Sequence, residues 1–216
     1  SITMRDLNDE SPNSIASFAI AGGSLEIIRL LISADVNFEL GIFLSVSLHR
    51  DALFFWFLEN QGIENISLTN EGSSLLHYSA ESNNLRIADF LIKNKIEIVF
   101  TSNYDENNID TPLNLACAYD CIGIVKLICE NYGNIPREAI VNAFSKCIAS
   151  NSAQACSYLI HFMENTIVDG QKIYQLSLDE IKQIKENHTI GFGELNIESE
   201  ICKMLNEMEV QIQKKP

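Results

Sequence analysis

Five stretches of this chain repeat one pattern, and a repeat of this length restricts the fold to stacked units. They are SIASFAIAGGSLEIIRLL from Ser14, GIFLSVSLHRDALFFWFL from Gly41, SLLHYSAESNNLRIADFL from Ser74, TPLNLACAYDCIGIVKLI from Thr111 and NAFSKCIASNSAQACSYL from Asn142. Their starts lie 27, 33, 37 and 31 residues apart. Each reads as small residues, a turn residue, then an apolar helix, which predicts two short helices in a tight hairpin. A unit of this size cannot close a core alone, so neighbours must stack and share one.

The slots of the pattern carry physical reasons. Pro112 stands where a first-turn proline belongs, because its missing N–H would be unpaired anyway, and Thr111 can cap. The turn between the two helices needs a left-handed residue. Gly23, Arg50, Asn83, Asp120 and Asn151 fall there. Glycine adopts that conformation at least cost, with Asn and Asp next, and Arg50 fits worst. The second helices carry apolar residues at helical spacing: Ile27, Ile28, Leu30 and Leu31 in the first copy, and Phe54, Phe57 and Leu58 in the second.

These copies resemble ankyrin repeats, whose pattern runs T-P-L-H-x-A-A-x-x-G-H-x-x-I-V-x-L-L-L over roughly 33 residues. Thr111-Pro112-Leu113 with Ala116, Leu76-His77 with Ala80, and Gly23 before LEIIRLLI carry the likeness. Within that family the chain is most similar to the large divergent groups of certain flagellate protists, in its first copy and the degenerate HR of its second. The resemblance implies an all-α ankyrin solenoid of about five helix-hairpin units with short β-hairpin fingers and a degenerate C-terminal capping unit. The expected boundaries are 1–10 as an N-terminal remnant or linker, 11–163 as the repeats, and 164–216 as a degenerate sixth unit and cap. The short gap before the second copy implies a vestigial finger there. The longer, polar TSNYDENNID (101–110) is expected to form an extended one.

Beyond residue 163 the pattern changes. Asp169-Gly170 between short apolar runs signals a hairpin turn. Ser177-Leu-Asp-Glu180 is a capping-box sequence and starts a helix at Leu178. A last helix is expected over about Ile197–Gln213, with Ile201, Met204, Leu205 and Met208 on one face, and HTIGFGEL between the two. Glu198, Glu200, Lys203, Glu207 and Glu209 would give the end of the stack a polar outer face.

The formal net charge of the 216-residue chain is -14. That argues against nucleic acid, whose affinity comes from neutralised phosphates, and against an anionic membrane surface. No apolar run reaches membrane-spanning length, and no charged-then-apolar leader opens the sequence. The first residue is Ser, which fits a processed or excised piece. Six cysteines, at 117, 121, 129, 147, 156 and 202, lack zinc-ribbon spacing. Scattered thiols favour a reducing compartment, hence the cytoplasm, with cytoskeletal association under the assembly reading below.

Cys117 and Cys121 stand four apart, as two metal ligands on one helix would, but a zinc site needs two more ligands that the linear pattern does not supply. The alternative is packing: Cys117 and Cys147 fall in small-residue slots, Cys129 and Cys156 in apolar stripes, and free cysteine behaves as a small buried hydrophobe. The resemblance gives His77 a structural role, bridging neighbouring units. Gly191-Phe-Gly193 is too short and misplaced for a phosphate loop. No catalytic constellation is visible, and neither metal nor cofactor is expected. The aromatic run around Trp56 is read as core packing ahead of an aromatic pocket.

The expectation is therefore a non-enzymatic module that binds a partner protein with some basic surface. The resemblance places contacts on the concave face of the first helices, at Phe18, His49, Tyr78, Glu81, Ser82, Tyr119 and Lys146, and on finger tips, at Phe38, Glu71, Tyr104 and Asp105. The tyrosines rank first, because tyrosine is enriched in interface hot spots. The alternatives are a structural part of a large assembly, such as a cytoskeletal one, or part of an enzyme whose site lies outside this chain.

Overall fold

The computed structural model describes residues 14–61, 69–70, 72–96, 110–132, 135–168, 171–172, 174–192 and 200–214. The described residues form an all-α fold of successive helix pairs with two short two-stranded hairpins. The chain divides into two compact units, residues 1–98 with 104–109, and residues 99–103 with 110–216. Of TSNYDENNID, only Asp110 is among the described residues.

Unit 1 holds three helix pairs: α1 (Ile15–Gly22) with α2 (Leu25–Ser33), α3 (Gly41–Ser47) with α4 (Asp51–Gln61), and α5 (Leu75–Glu81) with α6 (Leu85–Lys93). Before α5, β1 (Thr69–Asn70) pairs antiparallel with β2 (Ser73–Ser74), Thr69 opposite Ser74. Gly72 takes φ 84° in that finger, where a side chain would be strained.

Unit 2 holds α7 (Pro112–Ala118) with α8 (Ile122–Asn131), and α9 (Arg137–Ala149) with α10 (Ala153–Asn165). Then come β3 (Ile167–Val168), β4 (Gln171–Lys172), α11 (Leu178–Phe192) and α12 (Glu200–Gln213). Ile167 pairs with Lys172 and Val168 with Gln171, while Asp169 and Gly170 lie outside the described residues. The first helix of the fifth copy begins at Arg137, after Pro136, and not at Asn142. The first five residues of HTIGFGEL belong to α11, so the stretch read as a connection is partly helix.

Each helix pair turns on one left-handed residue: Gly23 (φ 73°), His49 (53°), Asn83 (55°), Asp120 (53°) and Asn151 (55°). In four of the five, the next N–H reaches back five residues to close a Schellman cap. These bonds are Arg50 N to Ser45 O (2.8 Å), Asn84 N to Ser79 O (2.8 Å), Cys121 N to Ala116 O (2.8 Å) and Ser152 N to Cys147 O (2.9 Å). The second copy corrects the sequence reading: His49 is the left-handed residue, not Arg50. Its pattern sits one residue earlier than expected, with Leu40 as the N-cap of α3. The same cap ends α2 and α6, through Asp35 (φ 59°) and Lys95 (φ 58°). Val36 and Ile96 then fold back onto the helices they leave and are buried.

Stacking is fixed by side chains that reach the copy before. In unit 1, Arg50 donates from Nε (3.0 Å) and Nη2 to the Ala21 carbonyl. Asn84 donates to the Val46 carbonyl (3.2 Å) and to Asp51 Oδ1 (3.0 Å), while its own oxygen accepts from Ile87 N (3.3 Å). The buried Asn84 amide thus caps its own helix and ties it to the preceding pair. In unit 2, Ser152 Oγ donates to the Ala118 carbonyl (3.3 Å), and Asp120 Oδ1 accepts from Ala155 N (2.9 Å). Asp120 therefore makes its own turn and caps α10 as well.

The core of unit 1 is built on Ile20, Ile28, Ile42, Phe54, Phe57, Leu75, Leu76 and Leu91, all buried. Burial of each such side chain is worth about 1.5–3 kcal/mol. The apolar stripe of α2 departs from expectation: Ile28 is buried, but Ile27 is 50% and Leu30 69% exposed. In unit 2, Tyr174 is buried with its hydroxyl donating to the Ile135 carbonyl (2.8 Å). Ile201 and Leu205 of α12 are buried, and Lys185 pairs with Glu209 at 2.9 Å.

Gly41 meets the ring of Phe57: an added Cβ would lie 2.6 Å from its Cζ. Phe57 is held in turn by Phe38 (6.1 Å between centroids) and Trp56 (5.2 Å). Gly41→Ala is expected to lower stability by about 1–3 kcal/mol in urea unfolding, despite alanine's better helix propensity. Phe57→Leu, made in the Gly41→Ala chain, should recover part of that loss.

Glu180 closes the capping box of α11. Its Oε2 accepts from Ser177 N (2.8 Å) and Oγ (2.9 Å), and the carboxylate also receives Arg137 (2.8 Å). The Ser177 backbone bond, the largest cause, lowers its pKa below the ordinary carboxylate value; burial opposes it, and Arg137 and the Ser177 hydroxyl add to the lowering. A lowered folded-state pKa gives stability that is present above the unfolded value of about 4.3 and is lost as pH falls through the folded one. The stability gap between the native chain and Glu180→Gln should therefore narrow as pH is lowered from 7 to 3, measured by urea unfolding at each pH.

Candidate partner-binding surface

In unit 1, Phe18 lies on α1 and is 63% exposed, a large apolar side chain on a rigid element. Glu81 is exposed at the end of α5, and Ser82 beside it is half-buried. Tyr78 is half-buried: its ring packs on Phe43 (5.2 Å), and its hydroxyl accepts from Asn70 Nδ2 (2.8 Å). That bond fixes the finger to α5. His49 is exposed, and its Nε2–H donates to the Ser82 carbonyl (2.7 Å), since a carbonyl can only accept. His49 thus ties its own turn to the next.

Phe38 corrects an expectation. It is 7% exposed, packed against Phe57, and belongs to the core and not to a finger tip. The connection from α2 to α3 is short enough to fold inward, so the residue expected at its tip becomes part of the unit's interior. Glu71, Tyr104 and Asp105 lie outside the described residues.

In unit 2, Tyr119 is the C-cap of α7 and is 56% exposed. Lys146 is half-buried on α9, and its ammonium pairs with Asp110 at 2.6 Å. Asp110 also accepts from Asn114 Nδ2 (2.8 Å), so the start of α7 and the face of α9 share one carboxylate. Tyr119 is therefore the unsheltered side chain of this group, and Lys146 carries a charge already matched.

Sequence reasoning undervalued one feature. Trp56 is half-buried and, with Phe38, Phe57, Ile32, Arg29 and Asn60, lines an open groove of about 460 Å³ in unit 1. The aromatic run is both core and groove wall, because successive residues of one helix face different ways.

The cysteines fill packing slots. Cys117 lies in α7, while Cys121 is the N-cap of α8, so the Asp120 turn separates them and they do not share a helix face. Cys117, Cys121, Cys129, Cys147 and Cys156 are buried free thiols. Burial, and then Glu130 and Cys147, push the Cys129 thiol up to about 12. The Cys117 hydrogen bond and then burial raise Cys147, and burial raises Cys156 and Cys121. Since the thiolate is the nucleophile and the metal ligand, these groups are held in their unreactive form. Among the described residues, no three His, Cys, Asp or Glu side chains converge as metal ligands would. His77 Nδ1 accepts from Ser74 N (2.9 Å) and lies 2.8 Å from its Oγ, which caps α5 locally.

Among the described residues, no helix is long and apolar enough to cross a membrane. No curated protein matches the chain. A family model described as ankyrin repeats (3 copies) matches residues 42–139, from α3 to the start of α9. Such repeats are generally protein–protein interaction modules and typically non-enzymatic. The repeated helix pairs, their left-handed turns and this match agree: residues 42–139 are ankyrin repeats.

Proposed function

We propose that this protein is a non-enzymatic module that binds a partner protein through the exposed side chains of its first helices and their turns. The observation that carries the reading is the placement of Phe18 and Tyr119. Both are large, more than half exposed, and held at a fixed point by a capped helix. Aromatic anchors on rigid elements bury area at little entropic cost, which is why they dominate interface energetics. His49, Glu81, Ser82 and the ring of Tyr78 extend the surface in unit 1, and Lys146 of α9 extends it in unit 2. Glu71, Tyr104 and Asp105 complete the proposed contact set. The net charge of -14 favours a partner with a basic surface, through faster, salt-sensitive association. The protein is proposed to act in the cytoplasm.

The test is quantitative capture by the immobilised protein, with partners identified by mass spectrometry and then purified. Phe18→Ala and Tyr119→Ala are each expected to weaken binding of the purified partner by roughly tenfold or more, with the unfolding midpoint unchanged. Lys93→Ala, at the far end of a second helix, should leave affinity as it is. Equal affinity for all three variants would refute the first-helix surface.

A further inference from the structure

Unit 2 holds a pocket that neither the cysteines nor the first-helix surface uses. Its volume is about 150 Å³, and it lies where the end of α10, the residues after β4 and the last turns of α12 meet. The walls are apolar: Met163, Tyr174 and Leu176 are buried, and Met208 and Ile212 are half-buried. Tyr174 is fixed at two points, by its hydroxyl on the Ile135 carbonyl (2.8 Å) and by its ring stacked on Phe162 (5.5 Å between centroids). That wall is therefore in place before anything binds. The rim is polar, with Glu164, Gln175 and Gln211 exposed there. Glu164 makes no ion pair among the described side chains, whereas Glu180 and Glu209 of the same unit are both paired.

We propose that this pocket takes a phenylalanine side chain of a partner protein, followed in that partner by a lysine or arginine that meets Glu164. The proposal rests on the reading of this protein as a protein-binding module. Size selects the anchor: an apolar cavity of about 150 Å³ holds a benzene ring. Wall chemistry selects the same group. Methionine adapts its shape to a guest and its thioether favours aromatic rings, and both Met163 and Met208 line the pocket. The Tyr174 ring adds an aromatic surface. Charge selects the neighbour. An unmatched carboxylate at the rim, on a chain of net charge -14, attracts a cation and repels an acidic segment. The Gln175 and Gln211 amides at the same rim each offer a donor and an acceptor to a peptide backbone. A small aromatic amine has the same ring and charge but no backbone for those amides.

Methyl NMR of the full chain tests this, with the acetylated and amidated peptide Gly-Phe-Lys-Gly as the probe. At millimolar peptide the Met163 and Met208 methyl signals should shift saturably, while that of Met204, outside the pocket, should stay. Replacing the probe's Phe with Ala should abolish the shift. Replacing its Lys with Glu should weaken binding about two- to fivefold at low salt. Glu164→Gln, an exposed substitution, should erase that difference between the two probes. Ile212→Trp, which fills the pocket, should remove binding with the unfolding midpoint retained. The proposal is overturned if the native chain shows no saturable shift, or if the Lys and Glu probes bind equally well. It is also overturned if phenethylamine binds as tightly as the peptide, since the pocket would then be a small-amine site. Phe18→Ala and Tyr119→Ala should leave the peptide response unchanged. A purified partner whose binding falls with those two variants but not with Ile212→Trp overturns the pocket and leaves the first-helix surface standing.

Discussion

The structure depends on one backbone bond: the N–H that follows a left-handed residue and reaches back five residues to the helix it leaves. Without it, a first helix would end on unpaired carbonyls and the second would have no fixed direction. With it, the chain reverses within a residue or two, and two amphipathic faces are presented to the neighbouring pair at once. The residue after the turn is therefore always in the same place. Arg50, Asn84 and Ser152 use that place to donate to a carbonyl of the copy before. Local reversal and long-range stacking are thus solved by adjacent residues.

The turns were legible in the sequence wherever glycine, Asn or Asp occupied them, because those residues tolerate positive φ for a stated reason. The second copy was misread by one position since it offers none of them. His49 bears the strain there, and its ring recovers part of the cost through Ser82. The neighbour, Arg50, was the odd letter in the pattern for a different reason: its fork is needed against Ala21. A motif that looks degenerate by composition can thus be intact by geometry.

Burial was harder to read. An apolar stripe says that a face is to be covered, but not whether the cover is present. Ile27 and Leu30 have the letters of a core stripe without the burial, and Phe38 has the burial without the helix. The candidate binding surface was harder still. The exposure of Tyr119 was legible from its slot just before the turn. For Lys146 and Tyr78 the sequence offers only their slots in the repeat. Their partners, Asp110 and Asn70, come from outside the helices on which they stand, and no periodicity encodes such contacts.

The Asp120 carboxylate sets a limit on how the repeats of unit 2 can be rearranged. One side chain serves as the turn of α7–α8 and as the cap of α10, more than thirty residues on. A copy moved elsewhere in the chain would carry its own turn with it but leave its neighbour's helix uncapped. The repeats resemble interchangeable parts, yet each is threaded to the next by a contact that neither owns alone. In this unit, duplication or deletion is conservative only when it takes the pair.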